Sequence, residues 1–362
     1  MRRGIEARTG RTFRRRIASE EWYLWDNYGY VESGTIHIYA QAADRRMCRR
    51  QEDRYWVAYW RHFVSDDNGS TWRDEGPAIC PRDDPDVYDA YTIWSGSVLL
   101  RDDGTKMAAY TGLAAGRLAL QSIAIAVSDD GYRFQRVSQG RPLLSAELDY
   151  DELRAAGYYL GPRETLGDIE READGTFLCL RDPFLFVDAD ATIHLFFGAK
   201  AAPDGVVVRA VGHAVFVDGQ QMTAVQVLPP QLVPDGDEFN QLELPNVFRR
   251  NASYYLVVSA TNLAYIGQPD LRAQKTVRIY RSNQLDGGWQ PYGNDGRHII
   301  LGPESQLYGL NIIDDPSRTS NALTCRAFWV GESWLPPSLE LRVGGDYPEL
   351  ICPDDLLEQG EC

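Results

Sequence analysis

Residues 94–112 read WSGSVLLRDDGTKMAAYTG, and residues 121–137 read QSIAIAVSDDGYRFQRV. A polar head opens onto an apolar run, Asp-Asp-Gly breaks it, a second run follows, and a third ends in a Ser-Asp-Asp-Gly hairpin. Runs rich in Val, Ile, Tyr and Phe that are punctuated by Asp-Gly are strand signals. The same order recurs in WDNYGYVESGTIHIYAQ (25–41) with YWVAYWRHFVSDDNGSTWRDEG (55–76). It recurs in RDPFLFVDADATIHLFFGAK (181–200) with VVVRAVGHAVFVDGQQMTAV (206–225). It recurs again in ELPNVFRRNASYYLVVSATN (243–262) with KTVRIYRSNQLDGGWQPYG (275–293). A weaker copy runs through LYGLNII (307–313), CRAFWVGES (325–333) and LELRV (339–343). Only LDYDELRAAG (148–157) carries a helical pattern.

The heads Asp26, Ser95, Asp182, Glu243 and Tyr308 stand about 60 to 90 residues apart. Four-stranded units at such spacing read as propeller blades. The expectation is an all-β chain folded as a five-bladed β-propeller with a central axial active-site pocket. Residues 21–362 would form that single domain, after a basic segment, 1–20, expected to be poorly ordered.

Composition narrows the function. The chain has 362 residues, a formal net charge of −15, and 44% hydrophobic residues. Nucleic-acid phosphates demand a basic face, so no nucleic-acid partner is expected. The first sixteen residues, MRRGIEARTGRTFRRR, hold seven arginines but lack the apolar core of a secretory signal. No run approaches the length of a membrane helix, and no membrane partner is expected. The six cysteines, Cys48, Cys80, Cys179, Cys325, Cys352 and Cys362, are scattered, with no CxxC pair and no His at metal spacing. Free thiols, no cofactor and no bound metal are expected, in a cytoplasmic chain or one exported without a cleavable signal.

In a propeller the innermost strand of every blade begins beside the axis. Heads far apart in sequence therefore converge, bringing three carboxylates, an arginine and aromatic rings into one cavity. Taken alone, each head has a plainer reading. Asp26 in LWDNY could cap a turn. Arg181 beside Asp182 could be a surface pair worth little, although apolar residues flank it and Pro183 fixes the backbone there. Glu243, between two leucines, could face outward from an edge strand. As a head it becomes an acid that its neighbours desolvate, as a proton donor requires. Ser95 in WSGS could be a simple turn residue, or could hydrogen-bond a ligand or the nucleophile. His37, His62, His194, His213 and His298 lie in or near strands without a triad context, and read as packing or surface residues. No nucleotide-binding glycine motif is present. The SDDNGSTW-type hairpins read as blade turns rather than calcium loops.

With the heads aligned, LWDNY, WSGS, RDP and ELPNVF, together with QSIAIAVSDDG and WLPPSLEL, resemble segments of glycoside hydrolase family 68. That family comprises the levansucrases, inulosucrases and bacterial β-fructofuranosidases. The resemblance runs over most of the chain and implies a propeller that cleaves sucrose or another fructoside with retention. It implies Asp26 as nucleophile, Asp182 as transition-state stabiliser and Glu243 as general acid/base. Trp25, Trp94, Ser95 and Arg181 would line the donor pocket, with Arg181 keeping Asp182 ionised, and Tyr308 would form its rim.

Four positions depart from the pattern. Gln241 stands where levansucrases carry a second Glu, and Thr261 where they carry Arg or His. Both belong to the leaving-group and acceptor side, so hydrolysis or short transfer is expected over long polymer. Thr176 and Asn240 stand at calcium-site positions that would carry carboxylates. Two rival readings remain: an inverting arabinofuranosidase-like enzyme on the same propeller, and a glycan-binding propeller without catalysis.

Overall fold

Five antiparallel sheets follow one another along the chain, one for each sequence unit. The computed structural model describes residues 8–114, 120–167, 180–219, 221–264, 268–313, 320–353 and 356. Blade I pairs Trp22–Glu32, Thr35–Asp44, Tyr59–Ser65 and Thr71–Ile79 in order from the axis. Blade II runs Thr92–Leu100, Lys106–Leu113 and Gln121–Ser128, edged by Gln135–Arg136 and Leu144–Ser145. Blade III is Arg181–Val187, Ile193–Ala201, Val208–Phe216 and Val225–Leu232. Blade IV is Gln241–Arg250, Ser253–Thr261 and Lys275–Ser282, edged by Gln290–Pro291 and Ile299–Leu301. Blade V is Leu307–Ile313, Ala322–Trp329, Leu339–Arg342 and Glu349–Ile351. The five first-named strands pack neighbour to neighbour and close a ring, blade V against blade I. This is the expected five-bladed propeller. The helical pattern near residue 150 forms one short helix, Tyr150–Ala155.

Local chemistry explains the hairpins. Ser33 and Gly34 both have positive φ, 50° and 84°, between the paired Glu32 and Thr35. That is the two-residue turn whose twist matches the flanking strands, and glycine enters it without a Cβ clash. In SDDNGSTW the Asp67 carboxylate accepts from the Thr71 amide at 2.8 Å, the Thr71 hydroxyl at 2.7 Å and the Ser65 hydroxyl at 2.9 Å. Asp130 in SDDGYRF repeats the pattern with the Tyr132 amide and Ser128 hydroxyl. These acids are spent on holding turns.

The apolar clusters lie between successive blades. Tyr28, Trp60, Ile93 and Tyr110 fill the gap between blades I and II, and Leu195, Phe197 and Ile123 that between II and III. Phe196, Leu256 and Val258 fill the gap between III and IV, and Trp22, Leu310 and Phe328 weld blade V to blade I. Each such side chain contributes roughly 1.5–3 kcal/mol on burial. Polar girdle contacts nearer the axis fix the rotation of one blade against the next. The Ser97 hydroxyl accepts from the Leu185 amide at 2.9 Å, and Asn246 Oδ1 from the Ile312 amide at 3.0 Å.

Two expectations are corrected. Part of the basic N-terminal segment is built into the propeller: Thr12–Arg14 pairs with the outer strand of blade I. Ile17, fully buried, forms a two-way backbone bridge with Leu335 of blade V. Phe13, edge-on against the Phe63 ring, and Ile17 are the apolar residues that dock the segment, and Thr9 adds hydrogen bonds to Asp74. Residues 1–7 lie outside the described residues. The thiols also differ from expectation. Cys48, Cys80 and Cys325 are free, but Cys352 is disulfide-bonded. Cys179 and Cys362 lie outside the described residues, as does Thr176. No helix among the described residues is long and apolar enough to cross a membrane.

Four of the histidines form matching pairs inside blades I and III. His37 Nδ1 lies 3.1 Å from His62 Nε2, and His194 Nδ1 lies 2.9 Å from His213 Nε2. Burial lowers His37 to about 4 and His213 to about 3. The unfolded chain titrates near pH 6.5 and so takes up these protons first. Stability from these pairs is therefore complete above about pH 6.5 and declines as pH falls toward 4. Imidazole NMR from pH 8 to 4.5 should show His37 and His213 still neutral. The wild-type melting temperature should fall over the same range more steeply than that of His37→Phe.

Candidate active site

Every inner strand loses its register at its head. The breaks fall between Trp25 and Asn27, Trp94 and Gly96, Arg181 and Phe184, Glu243 and Asn246, and Tyr308 and Asn311. A bulge leaves one residue unpaired and re-aims its side chain. Four of these bulges need left-handed backbone: Asp26 at φ 21°, Asp182 at 56°, Leu244 at 51° and Gly309 at 67°. Asp accepts this conformation more readily than most residues. For Leu244 it is strained, at roughly 1–3 kcal/mol. The strain is coupled to a contact, since the Leu244 amide donates to Asp182 Oδ2 at 3.3 Å.

The bulges bring Asp26, Trp94, Ser95, Arg181, Asp182 and Glu243 together around one cavity of about 60 Å³, with Gln41, Tyr55 and Leu263 completing its wall. Asp182 is the best-held acid. It accepts from the Ser95 hydroxyl of blade II, the Leu244 amide of blade IV, and Arg181 Nε at 3.4 Å. Its own amide donates to Thr111 Oγ1 at 3.0 Å. Burial raises its pKa to about 6. Arg181 and the Ser95 hydrogen bond oppose the rise, and Glu243 adds to it.

Asp26 accepts from Gln41 Nε2 at 2.8 Å. Burial, then Asp182 and Glu243, push its pKa well above the usual carboxylate range, while Arg54 and Lys275 pull it down. Glu243 accepts from Arg181 Nη2 at 2.7 Å and from the Tyr308 hydroxyl at 2.6 Å.

The sequence-based roles need adjustment. Arg181 contacts Asp182 at 3.4 Å as expected but lies closer to Glu243, at 2.7 Å, because the guanidinium reaches across to blade IV. Trp25, Gln241, Thr261 and Tyr308 do not line the cavity. Trp25 is buried behind it against Arg54 and Tyr55. Gln241 accepts from Arg181 Nη2 at 3.3 Å, and Tyr308 orients Glu243. Thr261 pairs with Gln241 in the sheet, and its hydroxyl accepts from the Leu263 amide at 3.1 Å. Asn240 spends its side chain on the Asn262 carbonyl and on Arg209.

Sequence reasoning missed Gln41, Tyr55, Thr111 and Leu263, and the buried cations Arg54 and Lys275. Gln41 lies within the strand Thr35–Asp44, opposite Trp25 and beside the Asp26 bulge, so its facing position was the available signal. Tyr55 and Arg54 come from a 3-10 helix, Gln51–Trp56, that no repeat alignment marks. Among the described residues, no cluster of His, Cys, Asp and Glu could hold a metal ion.

The model of the glycosyl hydrolases family 32 N-terminal domain matches residues 45–154. No curated protein matches the sequence. Among solved structures, the chain is similar to an inulosucrase from Halalkalicoccus jeotgali bound to kestose. The identity is 21%, the TM-score 0.67, and the match covers 97% of this chain and 92% of that one. Bacillus subtilis levansucrase is 15% identical with a TM-score of 0.64, covering 93% and 88%. A levansucrase variant complexed with sucrose gives 15% identity and a TM-score of 0.64, covering 92% and 86%. The likeness is one of fold: the chain is a propeller of the levansucrase and inulosucrase type.

Gly309 is the fixed point beside Asp26. A Cβ there would lie 2.9 Å from the Phe328 ring and 3.1 Å from Asp26 Oδ1, on a backbone already at positive φ. Gly309→Ala should cost about 1 kcal/mol or more in denaturant unfolding. A crystal structure of the variant should show the Asp26 carboxyl displaced.

Proposed function

We propose that the protein is a retaining β-fructofuranosidase or fructosyltransferase that acts on sucrose or a related fructoside. The observation that carries the reading is the convergence of Asp26, Asp182 and Glu243, from three separate blades, on one small desolvated cavity. Retaining glycosidases need two carboxyl groups on opposite sides of the scissile bond, close enough for one to attack while the other protonates. The family 32 match and the levansucrase-type fold support the substrate class, since two of the similar structures hold sucrose and kestose.

In this reading Asp26 attacks the anomeric carbon of the fructosyl group and forms a covalent intermediate. Gln41, donating to one oxygen, aims the other at that carbon. Glu243 gives its proton to the leaving oxygen, then takes one from water or a sugar acceptor. Tyr308 and Arg181 hold its two oxygens. Asp182, gripped by Ser95 and the Leu244 amide, binds fructosyl hydroxyls and offsets the positive charge of the oxocarbenium-like transition state. The Trp94 ring is anchored by its Nε1–H to the Tyr55 carbonyl at 2.7 Å and would pack on the sugar face. Gln241 and Thr261, in place of charged residues, leave the acceptor side less able to grip a growing chain.

Asp26→Asn should lower turnover by several decades while leaving sugar binding nearly intact by calorimetry; residual activity above a tenth of wild type would remove Asp26 as nucleophile. Glu243→Gln should slow a fructoside with a poor leaving group far more than an activated aryl fructoside. Equal slowing would refute the proton-donor role. Incubation with sucrose should yield free fructose or short oligomers by NMR and size-exclusion chromatography, and abundant high-mass levan would contradict the acceptor-side inference. Inverted product configuration would favour the rival furanosidase reading instead.

A further inference from the structure

A second set of buried charges adjoins the cavity. Arg54, fully buried, sits on the 3-10 helix Gln51–Trp56, between the second and third strands of blade I. Asp270 opens the turn Asp270–Arg272 between the second and third strands of blade IV, and Lys275 begins that third strand. Arg54 Nη2 donates to Asp270 Oδ2, Lys275 Nζ donates to Oδ1 at 3.0 Å, and the Tyr55 hydroxyl donates to Oδ1 at 3.2 Å. The contact joins blades I and IV, which are not neighbours in the ring.

Each cation also rests on a residue of the site. The Arg54 guanidinium lies 5.1 Å from the Trp25 ring centre and 4.4 Å from that of Tyr55. Lys275 Nζ lies 4.5 Å from the ring centre of Tyr308, whose hydroxyl holds Glu243. Ion groups buried this fully are costly, and replacing them by apolar side chains is often neutral or stabilising. Stability alone is therefore a weak reason for the triad.

A charge count gives a better one. The four carboxyls Asp26, Asp182, Glu243 and Asp270 face the three cations Arg54, Arg181 and Lys275. We propose that Arg54 and Lys275, anchored by Asp270, are positioning residues that set the proton affinity of the Asp26 carboxyl. The triad would act as a fixed positive charge held beside the nucleophile by a single shared anchor. The catalytic meaning rests on the reading of Asp26 given above.

The titratable and polar groups that face Asp26 come from blades I, III, IV and V. Gln41, Tyr28, Tyr55 and Arg54 belong to blade I, and Asp182 and Arg181 to blade III. Glu243 and Lys275 belong to blade IV, and Tyr308 to blade V. After burial, the two carboxylates drive the Asp26 proton on, and Arg54 and Lys275 work to take it off. For Asp270, burial works to raise the pKa, but Lys275 and Arg54 overturn it and hold the group well below the usual carboxylate range. Asp270 therefore remains an anion that partly screens both cations from Asp26.

The experiment reads the carboxyl itself. Full-length protein labelled with carboxyl-13C aspartate is titrated by NMR, with the Asp26 resonance assigned by its loss in Asp26→Asn. Arg54→Gln and Lys275→Gln should each raise the Asp26 midpoint by about one unit. Asp270→Asn, which unscreens both cations, should lower it. A triad with only a structural role would leave the midpoint in place, or move it the same way in all three variants, and either result overturns the proposal. Should Arg54→Gln fail to fold, Lys275→Gln and Asp270→Asn still carry the opposed signs. The readout needs no substrate, so failure of every fructoside to be cleaved would sink the catalytic reading without touching this one.

Discussion

The structure depends on a break in hydrogen bonding repeated five times. A continuous inner strand would point alternate side chains at its two blade neighbours and none squarely at the axis. The bulge at each head releases one residue from the ladder, and the left-handed backbone at Asp26, Asp182, Leu244 and Gly309 turns that residue or its amide toward the centre. The cavity is thus a property of the backbone before it is one of side chains. Leu244 illustrates the exchange: its conformation is unfavourable for a leucine, and the amide it exposes helps hold Asp182.

The same geometry gathers acids more densely than a largely buried space tolerates without counter-charge. The molecule answers with Arg181 between Asp182 and Glu243, and with the Arg54–Asp270–Lys275 triad beside Asp26. The inter-blade contacts and the site are one network: Ser95, Thr111 and Leu244 join blades II, III and IV through Asp182. Rigidity at the axis and chemistry at the axis come from the same hydrogen bonds.

Much of the fold was legible because blade architecture is periodic. Strand runs, Asp-Gly turns and polar heads recur, and a register read in one unit transfers to the next. The heads were legible as a site because propeller topology maps one sequence position onto one axial ring. Trp25 misled because the resemblance placed it in the donor pocket. Alternation along the strand instead sends Trp25 into the blade interior, and Trp94 on blade II lines the cavity. Arg181 was assigned to its sequence neighbour Asp182, but a guanidinium that bridges blades prefers the carboxyl across the gap.

The sequence by itself determined the all-β class, the number of blades, and the three acids that meet, because these follow from local periodicity and its repetition. Only the tertiary structure decided which cations balance those acids, which residues wall the cavity, and how Ile17 seals the ring. Arg54 and Asp270 lie on short 3-10 turns outside the repeat, Lys275 only opens a repeat strand, and no spacing rule relates blade I to blade IV. Their pairing exists only once the ring has closed, because electrostatic contact depends on distance in space and is blind to distance along the chain.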